Sequence, residues 1–129
     1  MNRLSFAAAL AAGLLGLGAA QAQVPTAISR DPPLDARHPA SGAGVQFDSH
    51  GARINAQLYR PAGEGAHPTV ILFHGLPGNE QNLDLARAIQ RAGWTVITFH
   101  YRGAWGSGGT FTVHGRVEDG KSLSPLLHD

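Results

Sequence analysis

Apolar positions along the chain follow three different periods, and each predicts a different element. Val70-Ile71-Leu72-Phe73 is an unbroken apolar run that stops at His74-Gly75-Leu76-Pro77-Gly78. A run of that kind, closed by a Gly/Pro turn, reads as a strand over Thr69–Phe73 buried on both faces. Val45-Gln46-Phe47 and Ile54-Asn55-Ala56-Gln57-Leu58 alternate instead, around the turn-forming Asp48-Ser49-His50-Gly51. Alternation about a glycine turn predicts an antiparallel hairpin with Ile54, Ala56 and Leu58 inward and one wet face. After the central turn the period changes again. Leu85, Ile89 and Ala92, with Ala86 beside them, oppose Asp84, Arg87 and Arg91. This predicts an amphipathic helix of about three turns, capped by Asn79 and ended by Gly93. Trp94–Tyr101 is apolar and β-branched, a second buried strand. Strand, helix, strand over so short a span implies a parallel βαβ unit with a right-handed crossover. Its first loop, the one after Phe73, lies where open α/β sheets place ligands. Arg102–Gly109 is a glycine-rich loop. Beyond it Val117–Leu123 has helical character, limited by Gly120 and Pro125.

The ends of the pattern carry their own information. Arg3 precedes Ala7–Ala20, which is built only of Ala, Leu and Gly, and Ala20-Gln21-Ala22 follows as a small-x-small site. These are the parts of a bacterial secretory signal peptide over residues 1–22, cleaved after Ala22, with secretion or periplasmic residence as the consequence. The apolar stretch is short for a membrane span, so no stable membrane anchor is expected after cleavage. Residues 23–44 are rich in Pro, Ala, Ser and Asp and have no hydrophobic period, which reads as a flexible lead-in to a domain over 45–129. The chain has 129 residues, 43% of them apolar and 15% charged, which favours one modest globular domain over disorder. Ten basic and nine acidic residues give no electrostatic reason to expect a nucleic acid as partner. There is no cysteine, hence no disulfide framework and no thiolate metal site, and the seven histidines show no metal-ligand spacing.

Pro68-Thr-Val-Ile-Leu-Phe-His-Gly-Leu-Pro-Gly78, followed by a helix and then by Trp94-Thr-Val-Ile-Thr-Phe-His-Tyr-Arg-Gly-Ala-Trp-Gly-Ser-Gly-Gly109, resembles the N-terminal half of the α/β-hydrolase family. The likeness is greatest to secreted bacterial esterases and prolyl-oligopeptidase-like serine hydrolases and covers roughly Val45 to Phe111. It implies an α/β fold that is an incomplete hydrolase sheet, an antiparallel hairpin followed by a parallel βαβ unit. It also implies that the main-chain N–H of Leu76 is an oxyanion-hole donor, aimed at the oxygen that gains charge when an acyl carbonyl is attacked. Gly75 and Gly78 shape that loop, and His74 ties it down rather than acting as a base. From the residues alone the same loop is equally an ordinary strand-to-helix turn.

The family also needs a serine on a G-x-S-x-G elbow, then an acid, then a histidine, in that order. None is present. Ser107 lies in Trp105-Gly106-Ser107-Gly108-Gly109, without the first glycine and after the wrong strand, and reads as a loop residue. Ser122 and Ser124 lack flanking glycines, His100 and His114 precede any nucleophile, and no elbow precedes His128. The expectation is therefore an N-terminal fragment of an exported serine hydrolase acting on ester or amide bonds, inactive as it stands and needing no cofactor. A small-molecule ester or peptide is the substrate of the completed enzyme, and self-association is expected through an open sheet edge. A non-catalytic secreted small-ligand-binding domain and a nonfunctional remnant are the alternatives.

Overall fold

Two residues turn the first hairpin. In a computed structural model, which describes residues 25–75 and 81–127, His50 (φ 53°) and Gly51 (φ 79°) both hold positive φ. That is the geometry of a two-residue turn whose twist matches its flanking strands. The strands are β1 (Ser41–Ser49) and β2 (Ala52–Arg60), antiparallel with Phe47 opposite Ile54 and Val45 opposite Ala56. The expected alternation holds on β2, where Ala52, Ile54 and Ala56 are buried. β1 starts at Ser41, so residues 41–44 of the expected lead-in belong to the sheet, because β2 offers pairing as far as Arg60. A short helix, α1 (Thr26–Ser29), also lies within the lead-in.

β3 (Thr69–Leu72), α2 (Leu83–Arg91) and β4 (Thr95–Phe99) form the predicted unit, with β3 parallel to β4 and Ile71 opposite Ile97. β4 pairs antiparallel with β2, giving a four-stranded mixed sheet in the order β1-β2-β4-β3. Two expectations need correction here. β3 is an edge strand, and all four of its residues are half-buried rather than covered on both faces. At the edge of the described sheet β3 has a neighbouring strand on one side only, and α2 packs mainly on β4 and β2, reaching β3 through Leu72. Phe73, expected inside the same strand, lies past its end and is 49% exposed.

The helix also presents a different face from the one its apolar residues suggest. Ala86 and Gln90 are buried and Ile89 is half-buried, whereas Leu85 and Ala92 are exposed. Ala86 has no bulk to hold the helix off Tyr59 and Val96, with which it forms the core of this side of the sheet. The buried Gln90 donates through Nε2 to the carbonyls of Ser41 (2.9 Å) and Arg60 (2.7 Å), joining helix to hairpin. Asn82 is the N-cap of the described helix; Asn79 lies outside the described residues. Gly93 (φ 94°) ends the helix as expected, its N–H bonding the Gln90 carbonyl while Trp94 N–H reaches back to that of Ile89. This pair of bonds satisfies carbonyls the helix leaves open.

The other face of the sheet carries the larger core, Ala52, Ile54, Ala56, Ile97, Phe99 and Tyr101, closed by Leu123. Leu123 is delivered by α3 (Gly115–Lys121) and a following 3-10 turn, Ser124–Leu127. α3 fits because Gly120 lies against Phe73: a Cβ there would come within 2.5 Å of the ring. No helix among the described residues is long and apolar enough to cross a membrane. The leader expected over residues 1–22 lies outside them.

Candidate functional site

Parallel neighbours end at the same side of a sheet, so the residues just past β3 and β4 meet. His74 and His100 face each other there with ring centroids 5.9 Å apart. His74 is only 6% exposed and stacks on Tyr101, ring centroids 4.1 Å apart. The Tyr101 hydroxyl donates to the His74 carbonyl at 2.7 Å, tying the end of β4 to the loop after β3. Burial pushes the Tyr101 phenol above its ordinary pKa, so it remains a donor.

The hydrogen bonds determine both histidine tautomers. His74 Nδ1 lies 2.8 Å from the Gly75 carbonyl oxygen, which can only accept, so Nδ1 carries the proton and Nε2 a lone pair. His100 Nε2 accepts from the Gln81 amide nitrogen at 3.2 Å, which places the His100 proton on Nδ1. Burial, and secondarily the neighbouring His74 ring, hold the His100 pKa below its usual value, so this ring is neutral at pH 7. His74 Nε2 and His100 Nδ1 are sealed from solvent and have no hydrogen-bond partner among the described residues. Both rings line a cavity of about 170 Å³ beyond the N-terminal end of α2, together with Asn55, Gln57, Gln81 and Trp105.

Other residues singled out in the sequence fall differently. Ser107 is buried and fully engaged, its Oγ accepting from Asn55 N–H (3.0 Å) and donating to the His100 carbonyl (3.1 Å). Among the described residues no serine hydroxyl is hydrogen-bonded to a histidine ring. Gly75 is exposed and is not at positive φ, while Leu76 and Gly78 lie outside the described residues, as does His128. No group of three or more His, Asp or Glu side chains among the described residues is placed to hold a metal ion.

Sequence reasoning passed over Asp119. It is fully buried, and its carboxylate accepts from Ser49 Oγ (2.7 Å), Arg102 Nε (2.6 Å) and Arg102 N–H (2.9 Å). This pair joins hairpin, β4 loop and α3. Its one sign in the sequence is spacing, since Asp119 and the inward Leu123 are one helical turn apart. Gln81 and Asn55 were missed as well; Asn55 sits on the face of β2 that alternation assigns to solvent.

No protein-family profile matches the chain. Over 67 residues it is 36% identical to the quorum-quenching protein AidA of Acinetobacter baumannii, a match spanning 50% of this chain and 22% of that protein. Among solved structures, it superposes on an α/β serine hydrolase homologue from Coxiella burnetii with TM-score 0.58 and 24% identity, over 66% of this chain and 44% of the other. A hypothetical protein from Pseudomonas aeruginosa gives TM-score 0.57 at 20% identity, over 83% and 36% of the two chains. An esterase from Pyrococcus furiosus gives 0.54 at 20% identity, over 75% and 41%. The chain thus spans less than half the length of each of these proteins.

Proposed function

Proceeding from a chain that carries part of the α/β-hydrolase fold, we propose that it is the N-terminal portion of an exported serine hydrolase acting on ester or amide bonds. The observation that carries this is the parallel β3-α2-β4 unit, antiparallel to the hairpin, in a sheet that superposes on a serine hydrolase homologue. In this reading the loop from His74 to Gly78 follows β3, and Leu76 offers its main-chain N–H to the oxyanion of an attacked acyl carbonyl. The Tyr101 hydroxyl and the His74 Nδ1–H brace the start of that loop. In this reading His74 has a positioning role, its Nδ1–H holding the Gly75 carbonyl.

The nucleophile, its acid and its histidine belong to sequence beyond Asp129. One oxyanion donor contributes roughly 2.7–4 kcal/mol to transition-state stabilisation, and only when a nucleophile attacks. The purified 129-residue chain is therefore expected to leave an activated ester at buffer background. Turnover abolished by Ser107→Ala would overturn the assignment, as would coding DNA past Asp129 that holds no G-x-S-x-G segment in any frame. The leader reading is tested separately, on the extracytoplasmic product of the expressed chain: its intact mass should begin at Gln23, and a mature chain retaining Met1 refutes export by cleavage.

A further inference from the structure

The proline-rich residues 31–40 and α2 enclose a second cavity, of about 330 Å³. Small-molecule sites begin at about this size and combine mostly apolar walls with a few convergent polar groups. The apolar wall here is Pro32, Pro33, Leu34 and Pro39, all of them aliphatic. Leu34 is 89% exposed, so an apolar ligand beside it gains by covering it. The segment carrying this wall is tied to the fold. Gly63 N–H donates to the His38 carbonyl (3.0 Å), Arg91 Nε donates to that of Ala27 (2.6 Å), and Asp35 accepts from the N–H groups of Arg37 and His38.

The polar groups of the lining are Asp31, Asp35, Arg87, Gln90 and Arg91. Four of the five are committed. Gln90 bonds Ser41, Arg60 and Arg87 with its amide, and Arg91 pairs with Asp31 at 3.6 Å. Asp35 lies 3.9 Å from His38 Nδ1, and the N–H groups of His38 and Arg37 hold its carboxyl below the ordinary pKa. Arg87 has no carboxylate partner among the described residues. It donates once, to Gln90 Oε1 (3.1 Å), and its guanidinium is steadied over the Tyr59 ring. A guanidinium carries five N–H donors, so several remain, and the exposed side chain leaves them within reach of a ligand. Asp31 and Asp35 in the same lining oppose a second negative charge, so a monoanion suits the groove better than a phosphate dianion. An apolar cavity of about 150 Å³ takes one benzene, so roughly twice that volume suits about ten to twelve non-hydrogen atoms.

We propose that this groove binds an aliphatic monocarboxylate of medium chain length, its carboxylate on the Arg87 guanidinium and its chain along Pro32, Pro33, Leu34 and Pro39. The site shares no residue with the cavity beyond β3 and β4, so it stands apart from the hydrolase reading. The test is a titration of the full 129-residue chain with sodium octanoate at neutral pH, followed by ¹H–¹⁵N NMR. Saturable shifts are expected at the Leu34, Ala40 and Ala62 amides and at Arg87 Nε–H, with a dissociation constant in the millimolar range or tighter. Acetate, the charge without the chain, and octylammonium, the chain with the opposite charge, should leave the Leu34 and Ala40 amides in place. Arg87→Gln should weaken octanoate binding roughly tenfold or more, as for loss of a charge-assisted hydrogen bond. Leu34→Ser, at an exposed position where folding is retained, should weaken it roughly threefold or more. Binding that either variant leaves unchanged, equal binding of octylammonium, shifts that gather at β3 and Phe73 instead of the groove, or no saturable shift at all would each overturn the proposal.

Discussion

Asp119 has no exposed surface, and a carboxylate in that position is tolerable only when its oxygens are fully bonded. Ser49 and Arg102 supply the bonds. Removing the carboxylate leaves the Arg102 guanidinium partly buried without a counter-charge. Asp119→Ala is expected to lower unfolding free energy by about 3–5 kcal/mol, measured by urea titration. A change within the range of an ordinary surface substitution would show that the pair is not what joins α3 to the hairpin. His100 makes a different contribution. Its pKa is depressed by burial first and by His74 second, so between that depressed value and 6.5 the unfolded chain binds more protons than the folded one. Among the described residues, His74, Gln81 and Trp105 lie around the ring, and none of them is acidic. Stability is complete above about pH 6.5 and falls as the pH drops through that window. Urea midpoints at about pH 7.5 and about pH 5.5 should converge in His100→Phe.

At the scale of the element, α2 is held by one polar residue more than by its leucines. Gln90 satisfies carbonyls at the outer ends of both hairpin strands, while Arg87 lies over the Tyr59 ring, 5.0 Å from its centre, and bonds the Gln90 oxygen. Each such hydrogen bond contributes about 1 kcal/mol net, and each carbonyl left buried and unpaired costs about 1–3 kcal/mol. Gln90→Leu, although more apolar, should therefore destabilise the chain by roughly 2 kcal/mol. Arg91 next to it pairs with the exposed Asp31 at 3.6 Å, and Asp31→Ala should change stability by less than about 1 kcal/mol. The two variants compared by thermal unfolding separate a buried amide bridge from a surface ion pair; equal losses would contradict this account of the helix.

At the scale of the molecule, the sheet has two unlike edges. β1 opens with Ser41 and Gly42, whereas β3 is Thr69-Val70-Ile71-Leu72, apolar and bonded to β4 alone in the described sheet. Phe73, just past its end, is exposed, as are Leu83 and Leu85 on α2. Such an edge is a template for another strand. The isolated 129-residue chain is expected to associate with rising concentration in size-exclusion chromatography, and Thr69→Lys, a charge on that edge, should restore the monomer. A monodisperse wild-type chain at all concentrations, with one sharp unfolding transition, would instead mean that the edge is already satisfied.

Local order in this chain follows from periodicity, because periodicity reflects which side of each element meets the core. Alternation along Ile54–Leu58, the glycine turn at Gly51, the stop at Gly93 and the parallel β3-α2-β4 unit were all legible in the residues. The resemblance that those motifs carry matches the fold observed. What periodicity cannot express is contact between elements far apart in sequence. The apolar run at Val70–Phe73 looks central, yet its burial depends on which neighbours and helices cover it, and β3 lies at the edge of the described sheet while α2 packs mainly on β4 and β2. Leu85 looks inward, yet Ala86 and Gln90 take that place because the helix docks where a small residue permits approach and an amide finds two carbonyls. Asp119 resembles any surface acid until Ser49 and Arg102 are folded around it. The meeting of His74 with His100 likewise arises only when two parallel strands, 26 residues apart by the Leu72–Thr98 pairing, end side by side.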